Sequence, residues 1–166
     1  MDTRKVNAPA PKVALPSPTV AVEEEWDKFE LDPNDLKPEA KIGAGVTAEV
    51  YRANWLGTVV AVKQLRWTGA LPAKLLLAFR RELSILAKCR HPNLVLFMGA
   101  VTKSSALKIV CEFCEGGTVF DLIHNRLDIL LTLEQKIKML MDIAKAVCYL
   151  HSMNPMIVHR DLKSLK

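Results

Sequence analysis

No apolar run in these 166 residues is long enough to span a bilayer, so a membrane-spanning helix is not expected. Cysteine is sparse. Cys89, Cys111, Cys114 and Cys148 form no dense framework, which argues against a disulfide-stapled fold and for a reducing, cytoplasmic setting. The first twenty residues lack the compact apolar core of a signal peptide, and Pro9, Pro11, Pro16 and Pro18 interrupt them. Only Arg4 and Lys5 are basic there, which gives a transit peptide little support. No internal repeat is visible. The net charge of +5 is not gathered into a stripe. Arg80-Arg81 and Lys136/Lys138 read as solvated helix faces, so nucleic acid is not an expected partner.

What is present suffices for one domain with a real core, since half the residues are hydrophobic. Residues 1–22 read as a disordered Pro- and Ala-rich tail. Residues 23–37 form a lead-in, in which Trp26, Phe29 and Leu31 are expected to pack on the first strand. Strands are expected at 38–46, 48–55 and 58–65, with a tight turn at Leu56-Gly57. A helix follows at 72–88, with Leu75, Phe79, Leu83 and Leu86 as its apolar stripe. Pro92 stops the chain after that helix, and His91 reads as a capping or turn residue. Two more strands are expected near 94–102 and 106–112, then a short helix at 118–126. Thr132 and Gln135 form a capping box that opens the longest helix, to about His151. Its face of Ile137, Leu140, Met141, Ala144, Val147 and Cys148 reads as core.

Chemistry enters at Ile42-Gly43-Ala44-Gly45-Val46, which leads through Ala48 and Val50 to Val-Val-Ala61-Val-Lys63. Gly43 and Gly45 let a hairpin backbone approach a ligand closely. Alternation puts Ala61 and Lys63 on one face of the third strand and Val60 and Val62 on the other. A small residue beside an ammonium, under a glycine hairpin, suits a flat base with a phosphate attached. Glu82 lies at the apolar stripe of the following helix. It is either solvated at the edge or paired, and a pair with Lys63 would aim the ammonium. Cys111-Glu112-Phe113-Cys114 is open to a zinc or redox reading, although no second pair stands at metal spacing.

Taken together, these motifs resemble the protein-kinase family, and the resemblance covers residues 26–166. Gly43, Gly45 and Val50 match its Gly-rich loop, with Ala48 where a third glycine usually stands. Lys63 matches the strand Lys, Glu82 the helix Glu, and His159-Arg160-Asp161 the catalytic loop. The Trp55-to-Lys63 context and His-Arg-Asp-Leu-Lys-Ser look most like the tyrosine-kinase-like group, with its Raf-like and MAP-kinase-kinase-kinase-like Ser/Thr enzymes. The resemblance implies an α+β, protein-kinase-like fold. Its smaller lobe, 38–112, is a five-stranded antiparallel sheet with one packed helix. A hinge at 112–117 and the first helices of an incomplete helical lobe, 118–166, complete it.

The resemblance also implies roles. ATP is the expected cofactor and a protein the substrate, with Ser/Thr hydroxyls as acceptors. Ile42, Ala44 and Val46 join the glycines over the nucleotide. Cys111 is the gatekeeper, Glu112 and Cys114 offer backbone groups to adenine, and Thr118 lies near the ribose. Asp161 orients the acceptor hydroxyl, Lys163 steadies the transferring phosphate, and His159 packs inward. The family's metal-binding Asn, five residues after the Asp, falls at Lys166, and a cation cannot ligate Mg²⁺. The Asp-Phe-Gly metal site is absent too, so the expectation is a truncated, catalytically incomplete form whose long helix has a bare face. The alternative is a regulatory fragment that captures a kinase or scaffold partner. A zinc or redox module is the third reading.

Overall fold

The structure is a computed structural model, and it describes residues 27–126 and 128–165. The expectations for the tail, for Trp26 and for Lys166 lie outside those residues. Five strands form one antiparallel sheet: β1 (Leu36–Ala44), β2 (Ala48–Trp55), β3 (Thr58–Leu65), β4 (Phe97–Val101) and β5 (Lys108–Glu112). Their order is β1-β2-β3-β5-β4. Helix α1 (Ala73–Leu86) lies between β3 and β4 in the chain, and α2 (Val119–His124) and α3 (Leu133–Ser152) follow β5.

Local chemistry explains most of these boundaries. At the β2–β3 turn Leu56 and Gly57 take φ of 49° and 90°, the left-handed pair that a two-residue hairpin needs. The Asn54 side chain accepts the Gly57 N–H at 2.9 Å and closes that turn. At the start of α3 the capping box forms as the sequence suggests. The Gln135 N–H donates to the Thr132 hydroxyl at 3.2 Å, and the Thr132 N–H donates to the Gln135 side chain at 2.9 Å.

Alternation along the strands produces two separate cores. On one face Ala48, Leu65, Phe97, Ala100, Leu107 and Ile109 meet Phe79 and Leu83 of α1, with Leu75 and Leu86 packed at the margin. On the other, Leu36, Ala53, Val60, Val62, Val101 and Val110 pack together. Burying each such side chain contributes about 1.5–3 kcal/mol, so the sheet and α1 stand mainly on these clusters.

Two expectations are corrected. The lead-in docks at the opposite edge of the sheet from β1. The Leu31 N–H donates to the Ala100 carbonyl at 2.8 Å, and the Phe29 ring meets Phe97 edge-on at 5.3 Å. The Glu30 carboxylate accepts the Thr102 N–H and hydroxyl and the Lys103 N–H at 2.6–3.2 Å. This strap gives the β4 edge a hydrogen-bonding partner, which is why it settles there.

The broad face of α3 is not core. Ile137, Leu140 and Met141 are 48%, 66% and 53% exposed, and only Ala146 and Leu150 of this helix are buried. The helix is held near its C-terminal end. There the Tyr149 hydroxyl accepts the Arg90 N–H at 2.9 Å and its ring stacks on His91 at 5.1 Å. Among the described residues no helix is long and apolar enough to cross a membrane.

Candidate active site

Register puts the predicted site residues into one row. Gly43 pairs with Val50, Val50 with Lys63, and Lys63 with Ile109, so all four share the face that carries α1. The next row joins Arg52, Ala61 and Cys111. Ala61 and Cys111 therefore make a shallow floor beside the Lys63 side chain. Above it, Ala44, Gly45 and Val46 run through the β1–β2 hairpin, and Ile42 and Val46 are exposed.

The hairpin glycines are not required by the fold. Neither Gly43 nor Gly45 takes a positive φ. A Cβ on Gly43 would sit 3.7 Å from Val50, and one on Gly45 would sit 3.7 Å from the Ala48 carbonyl; both are ordinary contacts. What small residues give here is open space above the sheet, which suits the close approach of an external group. Ala48 is buried in the α1-side core, opposite Leu65, so its methyl is used in packing.

Across this face α1 delivers Glu82. The Lys63 ammonium donates to both carboxylate oxygens, at 2.6 and 2.8 Å, across 19 positions of sequence. Of the two readings open for Glu82, the structure has the pair. Both side chains keep more than a third of their exposure. A pair so exposed contributes about 0–1 kcal/mol to folding. Its stronger effect is geometric: it holds an ammonium at a defined height over the Ala61–Cys111 floor. Burial, and then the neighbouring Glu82 carboxylate, push the Cys111 thiol up to about 11. Cys111 is therefore a protonated, apolar wall. Cys111 and Cys114 are free thiols.

At the exit of β5 the Glu112 N–H donates to the Leu96 carbonyl at 2.9 Å, and the Cys114 carbonyl accepts the Gly117 N–H at 3.2 Å. Thr118 caps α2. Its hydroxyl accepts the Asp121 N–H at 3.1 Å and donates to the Asp121 carboxylate at 2.6 Å. That box went unread in the sequence, although Thr-x-x-Asp is a recognisable helix start.

Asp161 and Lys163 lie on a separate segment and pair with each other at 3.2 Å. The segment is tied to α2 by the Phe120 N–H, which donates to the Ser164 carbonyl at 2.8 Å. Arg160 takes a left-handed φ of 64°, a strained setting just before Asp161. His159 does not pack inward as expected. It is exposed, and its Nδ1 accepts the Asp161 N–H at 3.3 Å, because none of the described helices covers this segment.

Among the described residues no three His, Cys, Asp or Glu side chains are gathered so as to hold a metal ion. The Mg²⁺ donor set is thus not assembled around Asp161, whose carboxylate faces the Lys163 ammonium.

A five-stranded sheet with one packed helix, a strand Lys aimed by a helix Glu, and a glycine hairpin over both define a phosphate-binding lobe of the kinase kind. The sequence profile of the protein tyrosine and serine/threonine kinase family matches residues 36–165, and this chain belongs to that family. A probable serine/threonine-protein kinase, SIS8 of Arabidopsis thaliana, is 50% identical over 127 residues, 75% of this chain. The serine/threonine-protein kinase CTR1 of the same plant is 42% identical over 163 residues, 93% of this chain. The probable serine/threonine-protein kinase drkD of Dictyostelium discoideum is 36% identical over 154 residues, again 93% of this chain. The chain spans 12%, 19% and 12% of the length of these three relatives.

Proposed function

We propose that this chain forms the ATP-binding lobe, hinge and catalytic-loop segment of a serine/threonine protein kinase. The observation that carries the reading is the two-pronged Lys63–Glu82 pair on the face beneath the glycine hairpin. In this reading adenine lies on the Ala61–Cys111 floor and meets backbone groups of Glu112 and Cys114, with Thr118 near the ribose. The Lys63 ammonium, held by Glu82, takes the α- and β-phosphates. Asp161 accepts or orients the proton of a Ser or Thr hydroxyl as its oxygen attacks the γ-phosphorus in line. The bond to the β-phosphate oxygen breaks and ADP leaves. Lys163, beside Asp161, balances charge on the transferring group. Members of the family use magnesium with ATP. The described residues do not assemble its ligands, so each role here belongs to the chain's own charges.

The exposed face of α3 favours a second reading, a partner-binding kinase fragment that captures another kinase or a scaffold through Ile137, Leu140 and Met141. Transfer of radiolabelled phosphate from ATP to a Ser/Thr-rich acceptor protein separates the two, with Lys63→Met as control. Transfer above the control supports the first reading. No transfer, with ATP still bound and a kinase retained on the immobilised chain, supports the second.

A further inference from the structure

The chemistry above leaves unused a cluster at the base of the glycine hairpin. Glu49, near the start of β2, accepts from Lys41 of β1 at 2.5 Å, from the Tyr51 hydroxyl at 2.7 Å and from Arg66, just past β3, at 3.0 Å. Its side chain is only 16% exposed although two cations and a phenol surround it. The hydrogen bond from Lys41, and next that from Tyr51, hold its carboxyl down at about 2. The main chain reinforces the same place. The Arg66 N–H donates to the Thr47 carbonyl at 2.9 Å, and the Gly45 N–H donates to the Ala48 carbonyl at 2.8 Å.

Glu49 and Tyr51 alternate with Val50, which pairs with Lys63. They therefore lie on the face away from the phosphate seat and act on it only through the backbone. The hairpin has few ordering contacts of its own, since Val46 is fully exposed and Gly43 and Gly45 carry no side chains. A β1 irregularity between Lys41 and Gly43 adds a bend beside the clasp, a device that re-aims strands near functional sites.

We propose that Glu49 is a positioning residue: by clasping Lys41, Tyr51 and Arg66 on the outer face, it sets the hairpin's angle over the phosphate seat. This inference rests on the ATP reading. A loop that samples more angles is competent for a smaller fraction of the time, and its apparent affinity for phosphate falls by that fraction. Adenosine has no phosphate for the hairpin to meet, so its affinity is indifferent to the clasp.

The test compares the full 166-residue chain with its Glu49→Gln variant. Amide hydrogen exchange is read at Gly45 and Arg66, and dissociation constants are measured for ATP and for adenosine. Glu49→Gln is expected to speed both amides about tenfold. It should weaken ATP about five- to tenfold and leave adenosine within about twofold. Lys41→Met and Arg66→Met should each give a smaller shift in the same direction. Unchanged exchange overturns the clasp. So does a parallel loss of ATP and adenosine, which is the mark of general damage. Wild-type ATP binding that Glu49→Gln leaves intact also refutes the clasp, and refutes nothing else. A wild-type chain that binds neither compound refutes the ATP site, and the inference falls with it.

Discussion

Gly99 of β4 gives the sharpest test of how this chain is assembled. A Cβ built there would lie 2.6 Å from Leu31 Cγ and 2.8 and 2.9 Å from its two Cδ atoms. These distances are far inside van der Waals contact, and Gly99 is buried, so the strap must move. Overpacking of this kind costs about 1–3 kcal/mol. If the strap lifts, the Glu30 bonds to Thr102 and Lys103 go with it, and the loss lies at the upper end. Gly99→Ala should therefore lower the midpoint of thermal unfolding by about 4–15 °C, at several degrees per kcal/mol for a domain of this size.

Leu31→Ala removes all three offending atoms. Alone it should cost about 1–2 kcal/mol, because Leu31 is half-buried. The double variant should be no less stable than Leu31→Ala by more than about 0.5 kcal/mol, a coupling of roughly 1–3 kcal/mol between the two sites. Urea titrations of the four proteins measure it. Strictly additive losses would show that Leu31 does not lie over Gly99, and the strap would have to be redrawn.

Other consequences can be checked separately. Lys63→Met should melt within a few degrees of wild type, because so exposed a pair gives about 0–1 kcal/mol. It should nevertheless weaken ATP about tenfold or more, the worth of one charged hydrogen bond, and unchanged affinity counts against the site. With its thiol pushed up to about 11, Cys111 should be alkylated at pH 8 far more slowly than exposed Cys148; peptide mass mapping reads the order. The folded chain keeps that proton above the ordinary thiol value of 9.0, so this group's stabilising contribution should decline as pH rises from 9 towards 11. Thr132→Ala removes the N-cap of α3 and about 1 kcal/mol, and the Gln135 amide should exchange several-fold faster.

The parts of this protein that were legible in the sequence are those governed by near neighbours. Strand alternation placed Lys63 with Ala61 and against Val60 and Val62, since a pleated strand has no other option. Leu56-Gly57 and Thr132-x-x-Gln135 carried their own turn and cap, because the groups that satisfy the backbone lie within three residues. The apolar stripe of α1 was equally plain from its spacing, and Phe79 and Leu83 are buried where it pointed.

What spacing along the chain could not settle is which distant surfaces meet. The strap joined β4 instead of β1 because the β4 edge offered the Ala100 carbonyl and the space left by Gly99, and neither is visible from Phe29 or Leu31. Glu82 could have been solvated until α1 folded over the sheet and brought it to Lys63. The α3 face has the pattern of a core helix, but burial depends on a partner element, and none among the described residues lies along it. Periodicity thus determined which side chains share a face. Only the three-dimensional arrangement decided what each face touches, because contact energy belongs to pairs of surfaces and one segment carries half of each pair.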